Sequence, residues 1–203
     1  MATKNPLSEL QQDLLTELFN VGVGHAAASL STMVKQEIKL SVPVIEFISI
    51  KELAQKLGAN TAVYSVSQKM NGPFSAQSIL FFPEKNSGEI VRKLLGDDLP
   101  EDSIGELQKE AFSEIGNIVL NACIGSFSNA LENEFTVELP AYEFGKPEEV
   151  LESSNSAGDT ALFIKIDLTL STSHITGYMA FLMEGQSLKQ LISVLDKMLK
   201  KYS

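Results

Sequence analysis

Two small constellations stand out for the chemistry their residues could do. Glu17 and Asn20 lie three residues apart, as do Glu114 and Asn117, and four residues before each glutamate stands another carboxylate, Asp13 and Glu110. Twenty-three residues after each asparagine comes a proline, Pro43 and Pro140. A carboxylate can pair with a lysine, and an amide both donates and accepts hydrogen bonds. An amide is no general base near neutral pH, but it can hold a water in line with an electrophile, as the glutamine of GTPases does. Positioning of that kind is all that a reactive acyl phosphate requires.

The elements that must carry these residues follow from an internal repeat. At an offset of 97, Leu7, Leu10, Leu14, Leu18 and Val21 recur as Ile104, Leu107, Ala111, Ile115 and Ile118, an apolar stripe at helical spacing in both copies. Two equivalent long helices are predicted, with start signals at Asn5-Pro6 and Asp102-Ser103. Positions i, i+4 and i+7 of a helix fall within about 60° of one another, so each trio shares one accessible edge beside the stripe. Glu152-Ser-Ser-Asn155 has the same Glu-to-Asn spacing but lies in a loop-like stretch, with Tyr178 where the proline would fall. Proline fills a given position about one time in twenty, so its presence after both helical pairs is roughly a one-in-400 coincidence. That favours common descent of the two halves more directly than it favours catalysis. Retention for structural reasons, as helix-surface pairs or a contact between copies, is the competing explanation.

Strand-like runs follow each helix: Ile38 to Ile50, Thr61 to Gln68 and Phe74 to Phe82 in the first half, then Phe135 to Phe144, Thr160 to Leu170 and Ile175 to Met183 in the second. Asn71-Gly72-Pro73 is a turn signal. Past Glu152 to Asp159 the offset reads as 100, pairing Phe81 with Phe181 and Val91 and Leu95 with Leu191 and Leu195, so each copy ends in a helix. The joining segment Gly96 to Ser103 is too short for a flexible linker. The expectation is a single α+β domain over residues 1–203. Its tandem repeats, at about 5–98 and 102–199, each contain helix, three strands and helix. They share a largely antiparallel sheet in a pseudo-twofold arrangement with the long helices packed on it.

Composition removes many alternatives. The 203 residues are 44% hydrophobic, enough for a sizeable core, and 16 Lys and Arg against 26 Asp and Glu give a net charge of −10. No basic block could track a phosphate backbone, so nucleic acid and anionic membranes are not expected partners. The lone Cys123, in an apolar stretch, reads as a buried inert thiol in a reducing cytoplasm. A secretory signal and a membrane span are not expected. His25 and His174 alone offer little for a metal site, and no phosphate-cradling glycine loop or nucleophile elbow is present. His25 reads as packed or solvent-facing, with tuning of the neighbouring Asn20 constellation as the alternative, and His174 as lying at a strand turn. The six Met and eleven Phe read as core, Asp97-Asp98 and Glu148-Glu149 as loop charges, and Lys197 to Lys201 as a cluster favouring a helix C-terminus.

The doubled motif resembles that of the CheC group of CheY-phosphatases (CheC, CheX and FliY), whose signature is Asp or Ser-x3-Glu-x2-Asn-x22-Pro. Asp13, Glu17, Asn20 and Pro43 match it in full. Glu114, Asn117 and Pro140 match with Glu110 at the Asp or Ser position. Asn20-Val-Gly-Val-Gly-His-Ala-Ala-Ala-Ser-Leu-Ser is similar to the family's Asn-Ile-Gly-x-Gly-Asn-Ala-Ala-x-x-Leu-Ser, with His25 where asparagine is usual. The resemblance runs from about Leu7 to Leu199. One site in a shorter chain would suggest the CheX branch and an appended switch domain the FliY branch, so two sites in this length point to the two-site CheC branch. The resemblance implies hydrolysis of the aspartyl phosphate of a CheY-type response regulator. Glu17 or Glu114 would pair with the regulator's lysine, Asn20 or Asn117 would orient the attacking water, and the chain would have no cofactor, Mg²⁺ being supplied by the regulator. It also implies the deamidase CheD as a partner. Two other readings stay open: a non-catalytic adaptor for CheD or a regulator, and a phosphatase for a regulator outside chemotaxis.

Overall fold

Ser8 begins the first long helix. Its Oγ accepts from the Gln11 amide at 3.3 Å and the Gln11 side chain accepts from the Ser8 amide at 2.8 Å, a reciprocal cap that satisfies two otherwise unpartnered donors. The helix therefore starts three residues beyond the Asn5-Pro6 signal, Asn5 instead accepting from the Leu7 amide in a local turn. The computed structural model describes residues 5–58, 60–85, 104–153, 160–170 and 173–201. Along them run α1 (Glu9–Val34), β1 (Ile38–Ser49), α2 (Ile50–Leu57), β2 (Val63–Asn71), β3 (Ala76–Pro83), α3 (Ile104–Leu131), β4 (Thr136–Val137), β5 (Ala141–Gly145), α4 (Pro147–Ser153), β6 (Thr160–Leu170), β7 (Ser173–Met183) and α5 (Gly185–Lys201). The expected helix around Val91 and Leu95, the joining segment, the Asp102-Ser103 start signal and Asp97-Asp98 lie outside the described residues.

The strands form one antiparallel sheet in the order β1-β6-β7-β3-β2-β4, with β5 also paired to β2. One side carries α1, α3 and α5 over the main core, which includes Phe19, Leu80, Phe112, Phe127, Met179 and Phe181. The other carries the short helices α2 and α4 over a second cluster with Leu53, Val63, Ile79, Phe81, Val150 and Phe163. Burial on both faces explains the continuous apolar runs Ile79 to Phe82 in β3 and Ala161 to Ile164 in β6. Neither α2 nor α4 is anticipated from the sequence. Glu148 and Glu149, read as loop charges, lie in the first turn of α4, where acidic groups favour the helix dipole. The Phe135-to-Phe144 run is also two strands, broken before Pro140.

The registers correct the expected offset. Residues Phe81 and Phe181 face opposite sides of the sheet, Phe81 toward α2 and α4 and Phe181 into the main core, so an offset of 100 fails in β7. A one-residue slip flips a strand's faces. The pairs Ile48↔Ala161, Tyr64↔Phe82 and Leu162↔Phe181 are consistent with offsets of 98 for β6 and 99 for β7, which match Val63 with Ala161 and Phe82 with Phe181 on the same faces. The pair Leu80↔Met179 then relates two positions 99 apart, as a local twofold through that pair requires.

The apolar stripe of α1 is also rotated from its sequence reading. The buried line is Gln11, Leu15, Leu18, Phe19, Gly22, Val23, Ala26 and Leu30, whereas Leu10 is 66% exposed and Val21 41%. Most of the methionine and phenylalanine is core as expected, but Met33 and Phe144 are exposed. Cys123 is buried, and burial pushes its thiol from 9.0 up to about 12. Lys200 and Lys201 occupy the last turn of α5, as the charge pattern suggests, and the Lys201 ammonium pairs with Glu132 at 2.6 Å.

Candidate functional site

The exposed face of α1 is set by what its opposite face packs against. Phe19 is fully buried against Phe127 and Phe181, with ring centroids 5.2 and 5.4 Å away, and this turns its neighbours Glu17 and Asn20 outward. Asp13, Glu17 and Asn20 accordingly form one solvent-facing line. Among the described residues, no side chain hydrogen-bonds to Glu17 or Asn20, which leaves the carboxylate and the amide available to a partner. The exposed Leu10 and Val21 lie on the same face and flank the polar line with apolar surface.

On α3, Glu110 and Glu114 are exposed and Asn117 is half-buried. Here the residue just before the asparagine is Gly116 rather than an aromatic. A Cβ added to it would stand 2.4 Å from the Val66 Cβ, so α3 lies directly on β2 at the site. The Asn117 Oδ1 accepts from Asn121 Nδ2 at 2.7 Å, one turn further along the helix. Sequence reasoning did not single out Asn121. The i, i+4 spacing of the two asparagines was the available signal.

The helices cross closely and antiparallel. Ser126 donates to the Leu18 carbonyl at 2.8 Å, and a Cβ on Gly22 would meet the Cys123 Cα at 2.8 Å. With these levels fixed, Asn20 and Asn117 stand about 11 Å apart along the helix axes at 1.5 Å rise per residue. Each trio is thus gathered on its own helix, and the two face outward from the same helical layer. Close approach at Gly22 makes the pair one rigid platform.

Both prolines occupy corresponding irregularities in the sheet. Between Ser41↔Asp167 and Val44↔Lys165, β1 advances three residues while β6 advances two. Between Met70↔Val137 and Ser67↔Ala141, the chain holding Pro140 advances four while β2 advances three. Each proline-bearing segment carries one extra residue, where the missing N–H of proline is tolerated. Side-chain contacts fix β1 along α1: the Ser31 hydroxyl accepts from the Ile38 amide at 2.8 Å and Gln12 donates to the Ile45 carbonyl at 3.2 Å. Between those anchors the Pro43 backbone runs level with the Glu17-to-Asn20 turn. In the second half, Lys109 stands over the Tyr142 ring at 6.0 Å, two residues beyond the exposed Pro140.

His25 is exposed one turn beyond Asn20. His174 lies within β7, not in a turn. Among the described residues no group of three or more His, Cys, Asp or Glu is placed to hold a metal ion, and no helix is long and apolar enough to cross a membrane.

No family model matches the chain. It is similar to the CheY-P phosphatase CheC of Bacillus subtilis, 29% identical over 143 residues, covering 68% of this chain and 66% of that protein, just under two thirds of its length. Its fold is that of FliY from Thermotoga maritima, with a TM-score of 0.76 at 16% identity over 95% of this chain and 99% of that one. The fold also resembles the CheX–CheY complex with BeF3 and Mg²⁺ from Borrelia burgdorferi, with a TM-score of 0.52 at 19% identity over 83% of this chain and 97% of that one.

Proposed function

We propose, for a chain that belongs to the CheC family, that it is a phosphatase for the aspartyl phosphate of a CheY-type response regulator, acting in chemotaxis. The observation that carries the reading is the display of Glu17 with Asn20, and of Glu114 with Asn117, on the outward faces of two helices locked together at Gly22.

In this reading either helix face docks over the regulator's phosphorylated aspartate. Glu17 or Glu114 pairs with a lysine of the regulator, which sets the register of docking. Asn20 or Asn117 enters beside the phosphoryl group and holds a water in line with the phosphorus. The water oxygen attacks phosphorus, and the bond from phosphorus to the aspartyl oxygen breaks with its electron pair returning to the carboxylate. Inorganic phosphate leaves and the water's proton passes to solvent. A magnesium ion would be supplied by the regulator rather than by this chain, and its charge would favour attack on the phosphoryl group. Asp13 and Glu110 extend the acidic line toward the partner, and the bulges at Pro43 and Pro140 hold β1 and β5 against the site helices.

The chain is read as one domain of two copies, about 5–98 and 102–199, with one site in each. Its support is the local twofold at Leu80↔Met179 and the matched one-residue slips at the prolines. In this reading the chain works in the cytoplasm, alongside the regulator it acts on.

The test is the decay of a phosphorylated CheY-type regulator with catalytic amounts of the chain and of its Asn20→Ala, Asn117→Ala and doubly substituted forms. Decay should accelerate with the native chain, persist at reduced rate in each single variant and return to the spontaneous rate in the double variant. Undiminished acceleration by the double variant would refute the assignment.

A further inference from the structure

The two sites differ in one respect that the motif does not contain. The Asn121 Nδ2 donates to the Asn117 Oδ1 at 2.7 Å, while the position one turn beyond Asn20 is Gly24, which has no side chain to do the same. We infer that Asn121 is a positioning residue for Asn117, so that the α3 site holds its amide ready while the α1 site does not. This rests on the proposed phosphatase reading and deepens it.

A lone asparagine amide on a helix surface rotates broadly about its terminal torsion, presenting oxygen or nitrogen to the same place in turn. A donor fixed on the same helix favours the rotamer with oxygen toward Asn121. It leaves both Nδ2 hydrogens and the second lone pair of Oδ1 uncommitted among the described residues, free for water and phosphoryl oxygen. Both asparagines lie on one helix, and that helix is pressed onto β2 at Gly116, so the pair moves as a unit with the sheet. Ordering the amide before the regulator arrives removes a cost otherwise met during reaction, and this raises the turnover rate rather than the affinity.

The experiment uses the full chain with Asn20→Ala as background, so that only the α3 site turns over. Asn121→Asp keeps the side chain's shape and removes the donor. It should lower kcat about fivefold, the equivalent of one ordinary hydrogen bond, with KM unchanged. Asn121→Gln, which retains the donor, should recover much of the loss. The converse variant is Gly24→Asn in an Asn117→Ala background. A Cβ at Gly24 meets nothing within 4 Å, so the substitution has room, and it should raise kcat of the α1 site. Full kcat in Asn121→Asp, or no gain in Gly24→Asn, would overturn the positioning role while leaving the phosphatase reading intact. Full activity in the Asn20→Ala, Asn117→Ala double variant would overturn both.

Discussion

Asn20 and Glu17 are exposed and bear no load in the fold, so their substitution separates chemistry from stability. Surface changes away from caps and cores shift stability by no more than about 0.5 kcal/mol. Asn20→Ala should leave the thermal midpoint unmoved while lowering kcat at its site about a hundredfold, the scale seen when one polar group that acts in the transition state is removed. Glu17→Gln should act mainly on KM, and added salt should narrow its difference from the native chain, because in the proposed mechanism a charge pair guides docking. Gly116 behaves oppositely. Gly116→Ala drives a methyl into Val66 and should cost about 1–3 kcal/mol, visible as a lower denaturant midpoint, together with a loss of rate at the α3 site. The motif residues were legible because their types and spacing recur 97 residues apart. Gly116 and Asn121 were not, since the first matters through the closeness of β2 and the second through one hydrogen bond.

At the scale of elements, both long helices end in a left-handed residue that is not glycine, Lys35 with φ 55° and Glu132 with φ 51°, again 97 residues apart. That conformation costs a side-chain-bearing residue about 1–2 kcal/mol, whereas glycine gives up about 0.5–1 kcal/mol through its freer unfolded chain. Lys35→Gly should therefore stabilise the protein by about 0.5–1 kcal/mol, read from its denaturant midpoint at unchanged slope. Glu132 is less suited to the test because it also pairs with Lys201. The long helices were readable from their apolar period, yet Leu10 and Val21 are exposed where that period would bury them. Periodicity finds a helix more securely than it finds which edge of a wide stripe faces the core. The short helix α2 carried its own signal, a reciprocal cap between Ser49 and Glu52, but it follows β1 without a break. In α4, seven residues offered too little period to set it apart from a loop.

For the whole molecule, the sequence repeat anticipated α+β layering and the antiparallel sheet, while strand offsets escaped it because insertions of one residue at a time leave apolar strands looking alike. Only registers reveal which face each residue takes. The helix crossing at Gly22 and Cys123 joins the two sites, and its burial has a measurable consequence. An unfolded chain releases the Cys123 proton near 9.0, the folded chain only near about 12. The raised folded value means that this group's contribution to stability is constant below pH 9.0 and falls as pH climbs from there toward about 12. Tyr142, raised from 10.0 to about 12 by burial and then by Tyr64, adds to the fall above pH 10.0. Cys123→Ala should flatten the decline between pH 9 and 10, as followed by denaturant midpoints.

In the proposed function these helix faces both recognise a phosphorylated regulator and turn it over. The most direct measurement pairs two readouts on the Asn20→Ala, Asn117→Ala double variant: its affinity for a regulator activated with beryllium fluoride, and the decay of the same regulator when phosphorylated. Affinity within about twofold of the native chain, since neither amide sets the register of docking, combined with decay at the spontaneous rate, is the predicted result. Native-like acceleration by the double variant would rule out catalysis by these two amides.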